Sequence, residues 1–458
     1  MNVFKLRTLG RCSKLVTLRS AHTAAKVESE IEVLTKQDAK ISEGSAGITV
    51  ASVENYQPVT YVTVAVKAGS KYENGSNLGV SHCLRNSATL SSNNHTAFAL
   101  TRNLELNGSK LSIESTREHM LYTLQCNRDE VDSGLGVLAD IVTQPAFKEW
   151  EVNDSAPRMN VDLAMYENSP EAVLMENLHK VAFRGGLDNS LYSPRFMVGK
   201  HNSTMLHDFV KSNYLASRTS VVGVGINHDH LQSKIDQLFN LHSAGSTTGQ
   251  QVSKFAGGEI RVEADIPFVQ AAIVAEGAGL SNVKDALSLG VLQCILGTGS
   301  HNKLSSGKFS ILGEAAAKCT QNPFAVSSLN INYADTGMFG VYVVGHPNDM
   351  SSLVKSIASQ MRKIGTDKKI TDSVVENAKH KLKAKLHQER DSSKGMVSAM
   401  AVEASVFKKL LDLKDYEKII DDLKVSDITA IASKVTKTKP AMAAVGRLHS
   451  TPHLDELL

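Results

Sequence analysis

The chain has 458 residues, 42% apolar and 21% charged, enough for two to four domains with sizeable cores. No stretch approaches the ~18 consecutive apolar residues of a membrane span, so membrane association would have to run through partners or the surface. The five cysteines, Cys12, Cys83, Cys126, Cys294 and Cys319, are scattered without a C-x-x-C pair, which argues against a disulfide scaffold, a cysteine zinc site, an iron–sulfur cluster or c-type haem.

Residues 1–27 carry six bases and no acid, interleaved with Val, Leu, Phe, Ser and Thr. That pattern predicts a mitochondrial transit peptide. Without those bases the remaining chain carries 44 Lys+Arg against 47 Asp+Glu, so its net charge is close to −3. The overall +3 then reflects an address, and nucleic-acid binding has no compositional support.

In chain order, a linker is expected at 28–45. Alternating apolar residues predict strands over 47–53 and 60–67, read as a hairpin. A short helix follows at 78–87, then a helical stretch between 94 and 104 and two strands at 110–115 and 120–126. A helix is expected at 131–142, and the stretch 150–165 comes next. Ser169-Pro170-Glu171 places an N-cap, a proline and an acidic first turn at the start of another, running to about Phe183. A helix at 203–213 leads to a glycine-ended strand at 219–225. His228-Asp229-His230 reads as a polar turn rather than a metal site.

The pattern then recurs. Segment 268–277 corresponds to 61–70, 286–293 to the helix at 78–87, and 328–333 with 338–344 to the strand pair at 110–126. Helix 350–364 matches 131–142, and strand 441–446 matches 219–225. The offset drifts by only about 15 residues, as loops of unequal length give. The expected class is α+β. It comprises two homologous domains from an internal duplication, at 40–242 and 258–458, joined by a Ser/Thr/Gly/Gln-rich linker at 243–257. Each domain is expected to be a mainly antiparallel sheet packed with helices, the pair facing each other as a clam shell. In the second half, 379–390 reads as a solvated charged helix face, and 408–413 with 416–423 as amphipathic surface helices.

The helix at 78–87 contains His82-Cys83-Leu84-Arg85-Asn86. An inverted zinc-peptidase motif needs H-x-x-E-H, with imidazoles at i and i+4 on the metal and a glutamate as base. Only the first His is present, and a guanidinium cannot serve as a base near neutral pH. The frame, the strands around it and the duplicated halves resemble the pitrilysin-type zinc metallopeptidase superfamily. Within it, segments 79–85, 110–118, 176–183, 189–194, 257–261, 333–340 and 449–457 resemble the core-subunit family of mitochondrial ubiquinol–cytochrome c reductase, respiratory complex III.

The resemblance puts the two His ligands on His82 and Asn86, the base on Arg85 and the third ligand on Asp162. These are degenerate positions, short of the three protein ligands of a catalytic zinc site. It therefore implies no catalytic residue, no metal and no cofactor. Tyr333, where active members bind substrate, is expected to be a packed strand residue. The implied role is a non-catalytic structural subunit, peripheral to the inner mitochondrial membrane on its matrix side. The implied partners are a core protein 1-like homologue and the cytochrome b and c-type cytochrome subunits, with no nucleic acid. The alternative is the non-catalytic, presequence-binding subunit of the mitochondrial processing peptidase. That subunit carries a glycine-rich loop, whereas 297–307 here holds three glycines separated by bulky residues.

Overall fold

A computed structural model describes residues 35–242, 252–299, 310–366 and 370–457. The expected transit peptide at 1–27, the linker through 251 and residues 300–307 of the loop lie outside the described residues. In the first half, β1 (Lys40–Glu43), β2 (Thr49–Val53) and β3 (Val59–Val66) precede α1 (Val80–Ser87) and α2 (Ala97–Leu106). Next come β4 (Lys110–Ser115), β5 (Met120–Asn127), α3 (Val131–Thr143), α4 (Glu149–Asn153), α5 (Ala156–Glu167) and α6 (Pro170–Ala182). The half continues through β6 (Phe183–Arg184), α7 (Ser203–Asn213), β7 (Thr219–Val224) and α8 (His228–Leu238). The second half has β8 (Lys254–Phe255), β9 (Gly258–Glu263), β10 (Val269–Glu276), α9 (Val283–Leu296) and α10 (Ile311–Ala317). It ends with β11 (Ala325–Asn332), β12 (Gly337–Gly345), α11 (Met350–Lys363), α12 (Asp372–Asp391), α13 (Ser393–Phe407), α14 (Leu413–Asp422), α15 (Val425–Lys437) and β13 (Ala441–Gly446).

The duplication is written into the sheets. The first runs β1-β2-β7-β3-β5-β4 and the second β9-β13-β10-β12-β11. Discounting β1, the two orders match strand for strand. In both, one outer pair is parallel, β2 with β7 and β9 with β13, and the remaining pairs are antiparallel. This is the expected α+β architecture.

Three expectations need correcting. The strands at 47–53 and 60–67 are not a hairpin, because β7 is inserted between them: Val50 pairs with Val221, and Val221 with Val64. The proposed linker before residue 45 contains β1, paired antiparallel with β2. Helix α13 ends at Phe407 and Lys408 turns left-handed (φ 51°), so 408–412 is not helical. Beyond the undescribed part of the linker, Lys254–Phe255 pair with Phe183–Arg184.

Each half covers the other's sheet. Helix α6, from the first half, packs on β13, β10 and β9. Its stripe Leu174, Leu178, Val181 and Ala182 forms a core with Ala272, Val274, Met338, Ala441, Ala443 and Val445. The spacing i, i+4, i+7, i+8 is one helix face. Helix α13, from the second half, packs on β3, β7 and β2. Its Met396, Val397, Met400, Ala401 and Ala404 meet Ala51, Val53, Ala65, Leu121, Val222 and Val224. Burying a leucine-sized side chain contributes about 1.5–3 kcal/mol, so the exchange is a large fraction of the molecule's stability.

Candidate functional site

The site is built on α1 and α5. Cys83 and Leu84 of α1 join the first core, so His82, Arg85 and Asn86 are turned to the flank where α5 lies. Gly79 caps α1 in the left-handed region (φ 79°), and a Cβ there would sit 2.4 Å from that of Ser193. Only glycine lets the 193 loop approach this closely. The carboxylate of buried Glu73 receives the Gly79 N–H at 2.7 Å, the Ser81 N–H at 2.9 Å and the Ser81 hydroxyl at 2.5 Å, closing the start of α1. Burial pushes the Glu73 carboxyl up to about 7, partly offset by these donors.

Three donors converge on one oxygen. Asp162 Oδ2 lies 3.0 Å from His82 Nε2, 2.7 Å from Arg85 Nη2 and 3.0 Å from Asn86 Nδ2. The Ser193 N–H donates to His82 Nδ1 at 3.2 Å, so that nitrogen is the acceptor and the ring proton sits on Nε2, facing Asp162. His82 is fully buried, with the edge of Tyr192 at 5.6 Å, and Tyr192 stacks on Tyr166 at 4.5 Å. Burial lowers the His82 pKa, against the pull of Asp162, which keeps the imidazole neutral. Burial alone would raise the Asp162 carboxyl. Hydrogen bonds from Asn86 and His82 and the Arg85 charge outweigh it and hold the group below the usual carboxylate range.

The structure thus brings together the four positions named from the sequence: His82, Arg85, Asn86 and Asp162. What they form is a closed hydrogen-bonded quartet. A metal would need the lone pair of His82 Nε2 and the free face of Asp162 Oδ2, and both are engaged. The guanidinium supplies the positive charge that a metal would bring. Among the described residues, no group of three or more His, Cys, Asp or Glu side chains is placed to hold a metal ion.

The other candidates go elsewhere. His228 and His230 begin α8 behind an Asn227 cap rather than forming a turn. His228 bridges the Ser52 and Ser42 hydroxyls, each at 2.9 Å, while His230 pairs with Asp132 at 2.7 Å. They share no ligand position. Tyr333 follows β11, and its hydroxyl meets His179 Nε2 of α6 at 2.7 Å, tying the halves together. Burial pushes the Tyr333 phenol up to about 12 and the His179 imidazole down to about 3. A matching contact joins His119 Nε2 to the Ser405 hydroxyl at 2.9 Å.

Sequence reasoning gave no role to Glu73, Tyr192 or Ser193; the last two stand inside the resembling segment 189–194, the one signal that pointed near them. A cavity of about 1470 Å³ shares no lining residue with this quartet. It is framed by Gln293, Phe324, Val326, Tyr342, Lys381 and Lys385.

Residues 49–195 match the family model described as insulinase (peptidase family M16), and 201–382 match that of the peptidase M16 inactive domain. The chain belongs to peptidase family M16. Within that family it is similar along its length to cytochrome b-c1 complex subunit 2, mitochondrial. The Homo sapiens protein is 36% identical over 421 residues, 92% of each chain, and that of Rattus norvegicus 33% over 455, covering 99% of this chain and all of the relative. The expected resemblance to core protein 2 of complex III is therefore borne out. The probable mitochondrial-processing peptidase subunit alpha-2 of Arabidopsis thaliana is more distant, at 27% over 414 residues, 90% of this chain and 83% of that one. In fold, a chain of complex III2 from Candida albicans, solved with Inz-5 bound, superposes with a TM-score of 0.79. It covers 91% of this chain and 98% of that one at 18% identity.

Proposed function

We propose that this chain is a non-catalytic structural subunit of the mitochondrial cytochrome b-c1 complex. It keeps the M16 scaffold as a large folded surface and has given up the M16 reaction. The observation that carries the reading is the seating of Arg85 on Asp162, where an active member would hold its metal. The full-length similarity to cytochrome b-c1 complex subunit 2 supports the assignment to that assembly. Its partners are a core protein 1-like homologue, cytochrome b and the c-type cytochrome subunit. None of the helices among the described residues is long and apolar enough to cross a membrane, so attachment runs through those partners. We place the subunit on the matrix face of the inner membrane. The alternative, a presequence-binding subunit of the processing peptidase, rests on weaker similarity.

His82, Arg85, Asn86 and Asp162 are accordingly remnants of a metal site with a structural role. Metal analysis of the purified chain tests this. The expected result is no stoichiometric zinc and no change in metal content in His82→Ala; one zinc per chain, lost in that variant, would overturn it.

A further inference from the structure

We propose that the outer face of α4 and α5 is a pairing surface on which two copies of this chain meet, helix against antiparallel helix. Only Asp154 and Ser155, both in right-handed helical conformation, separate the two helices. Hydrogen bonds from the Asp154 N–H to the Trp150 carbonyl and from the Met159 N–H to the Ser155 carbonyl carry the winding across the break. Trp150, Pro157, Val161, Ala164 and Met165 therefore share one face, at i, i+7, i+11, i+14 and i+15, opposite buried Met159 and Leu163. Trp150 is 63% exposed, Val161 59% and Met165 69%. Arg195 Nε donates to Glu167 at 2.7 Å, which sets Phe196, 62% exposed, at the C-terminal end of the stripe.

The duplicated half supplies a comparison. Helix α12 precedes α13 as α5 precedes α6, and both α6 and α13 start on a capping serine, Ser169 and Ser392. Aligning those caps puts Ser373, His380, Ala384, His387 and Gln388 where the stripe has Trp150, Pro157, Val161, Ala164 and Met165. All five are exposed, and only Ala384 is apolar. The fold therefore does not demand an apolar face at this place. Single apolar side chains on a surface are ordinary, whereas a continuous stripe marks a contact.

Area and charge identify the occupant. At these exposures the stripe offers on the order of 500 Å² of apolar surface. That is about the apolar share of one side of a standard interface, roughly 800 Å² per partner and ~60% apolar. The N-terminal end of the stripe carries Lys148, Glu149 and Asp154, one base to two acids; the C-terminal end carries Glu167, Arg195 and Lys200, one acid to two bases. Antiparallel copies bring these opposite net charges together, and a two-fold axis between Pro157 and Arg158 does so twice. Trp150 of each copy then lies against Met165 and Phe196 of the other, an aromatic anchor on a thioether and a ring. Arg158 of each falls about 5 Å along the helix axis from Asp154 of the other. Neither Asp154 nor Arg158 makes an ion pair within the chain among the described residues, so both are available for that contact.

Sedimentation of the purified full chain across the micromolar range tests the pairing. A reversible dimer is expected, weakened at least about tenfold in Met165→Asp and unchanged in Phe98→Asp, an equally exposed apolar position on α2. Oxidative cross-linking reads the geometry. Pro157→Cys, beside the two-fold axis, is expected to form a disulfide-linked dimer. Met165→Cys is not, because its two copies lie about 22 Å apart in an antiparallel pair. A monomeric wild type, a dimer indifferent to Met165→Asp, or linkage through Met165→Cys instead of Pro157→Cys would overturn the proposal. Linkage of Pro157→Cys in mitochondria to a different chain alone would assign the face to that chain and overturn it equally. None of these outcomes depends on the assignment to the cytochrome b-c1 complex.

Discussion

Replacing Leu178 with alanine is expected to cost about 2–5 kcal/mol, with the loosening appearing in the half of the molecule that does not encode the residue. Leu178 is fully buried, and its neighbours belong to the second sheet. Deleting its side chain leaves a cavity between α6 and β10/β13 that close-packed strands cannot refill. Urea denaturation should show the loss in midpoint, and amide exchange should be fastest in β10 and β13. Met400→Ala, on α13, is the mirror case: it should loosen β3 and β7. Loosening confined to the residue's own half in both variants would mean that the exchanged helices do not couple the halves.

Asp162→Ala should be the most damaging single change in the His82–Arg85–Asn86–Asp162 quartet, by about 2–4 kcal/mol, from donors left unpaired. It strands the Nε2–H of a fully buried imidazole, the Asn86 amide and the Arg85 guanidinium at once. Asp162 and Arg85 are each about a quarter exposed, so water recovers part of the cost. Arg85→Met should cost less, because two neutral donors remain on the carboxylate. The sign of the pH dependence follows from the lowered Asp162 pKa. Its contribution is present above the ordinary carboxylate value near 4 and is lost as pH falls through the lower folded-state value. Denaturation midpoints of wild type and Asp162→Ala should therefore differ at pH 7 and converge on strong acidification. A variant as stable as wild type at pH 7 would contradict the quartet's structural role.

The sequence carried the local parts of this fold better than the distant ones. Alternation in 60–67 and 120–126, and the Ser169-Pro170-Glu171 start of α6, are properties of a few neighbouring residues, and they predicted β3, β5 and α6 closely. The partner of a strand is not such a property. Nothing in 47–67 announces that β7, about 160 residues later, separates β2 from β3, so a hairpin was the local reading. The apolar stripe of α6 was legible, but the sheet it covers was not, since Ala and Val line both sheets. Helix α13 went unread: its packing face mixes alanine with methionine, and its weak pattern follows a strongly charged helix. Its signals, in retrospect, are the Ser392 cap, which accepts from the Gly395 N–H, and apolar residues at 396, 397, 400, 401 and 404.

The four members of the quartet could be named from the sequence because H-x-x-E-H is a fixed local frame, from which Arg85 and Asn86 visibly depart. The convergence of three donors on one oxygen of Asp162 was not legible, because it depends on how α5 lies across α1. The supports of the site were likewise invisible. Glu73 and Ser193 act through backbone groups, which leave no spacing rule in the sequence.

The measurement that bears most directly on the account is native electrophoresis of detergent-solubilised mitochondria, with mass spectrometry of the band holding this chain. The chain is expected in a large complex with cytochrome b and the c-type cytochrome subunit, alongside a homologous subunit of similar size. Migration as a small soluble pair with one related chain, free of cytochromes, would contradict it and make the chain a processing-peptidase subunit.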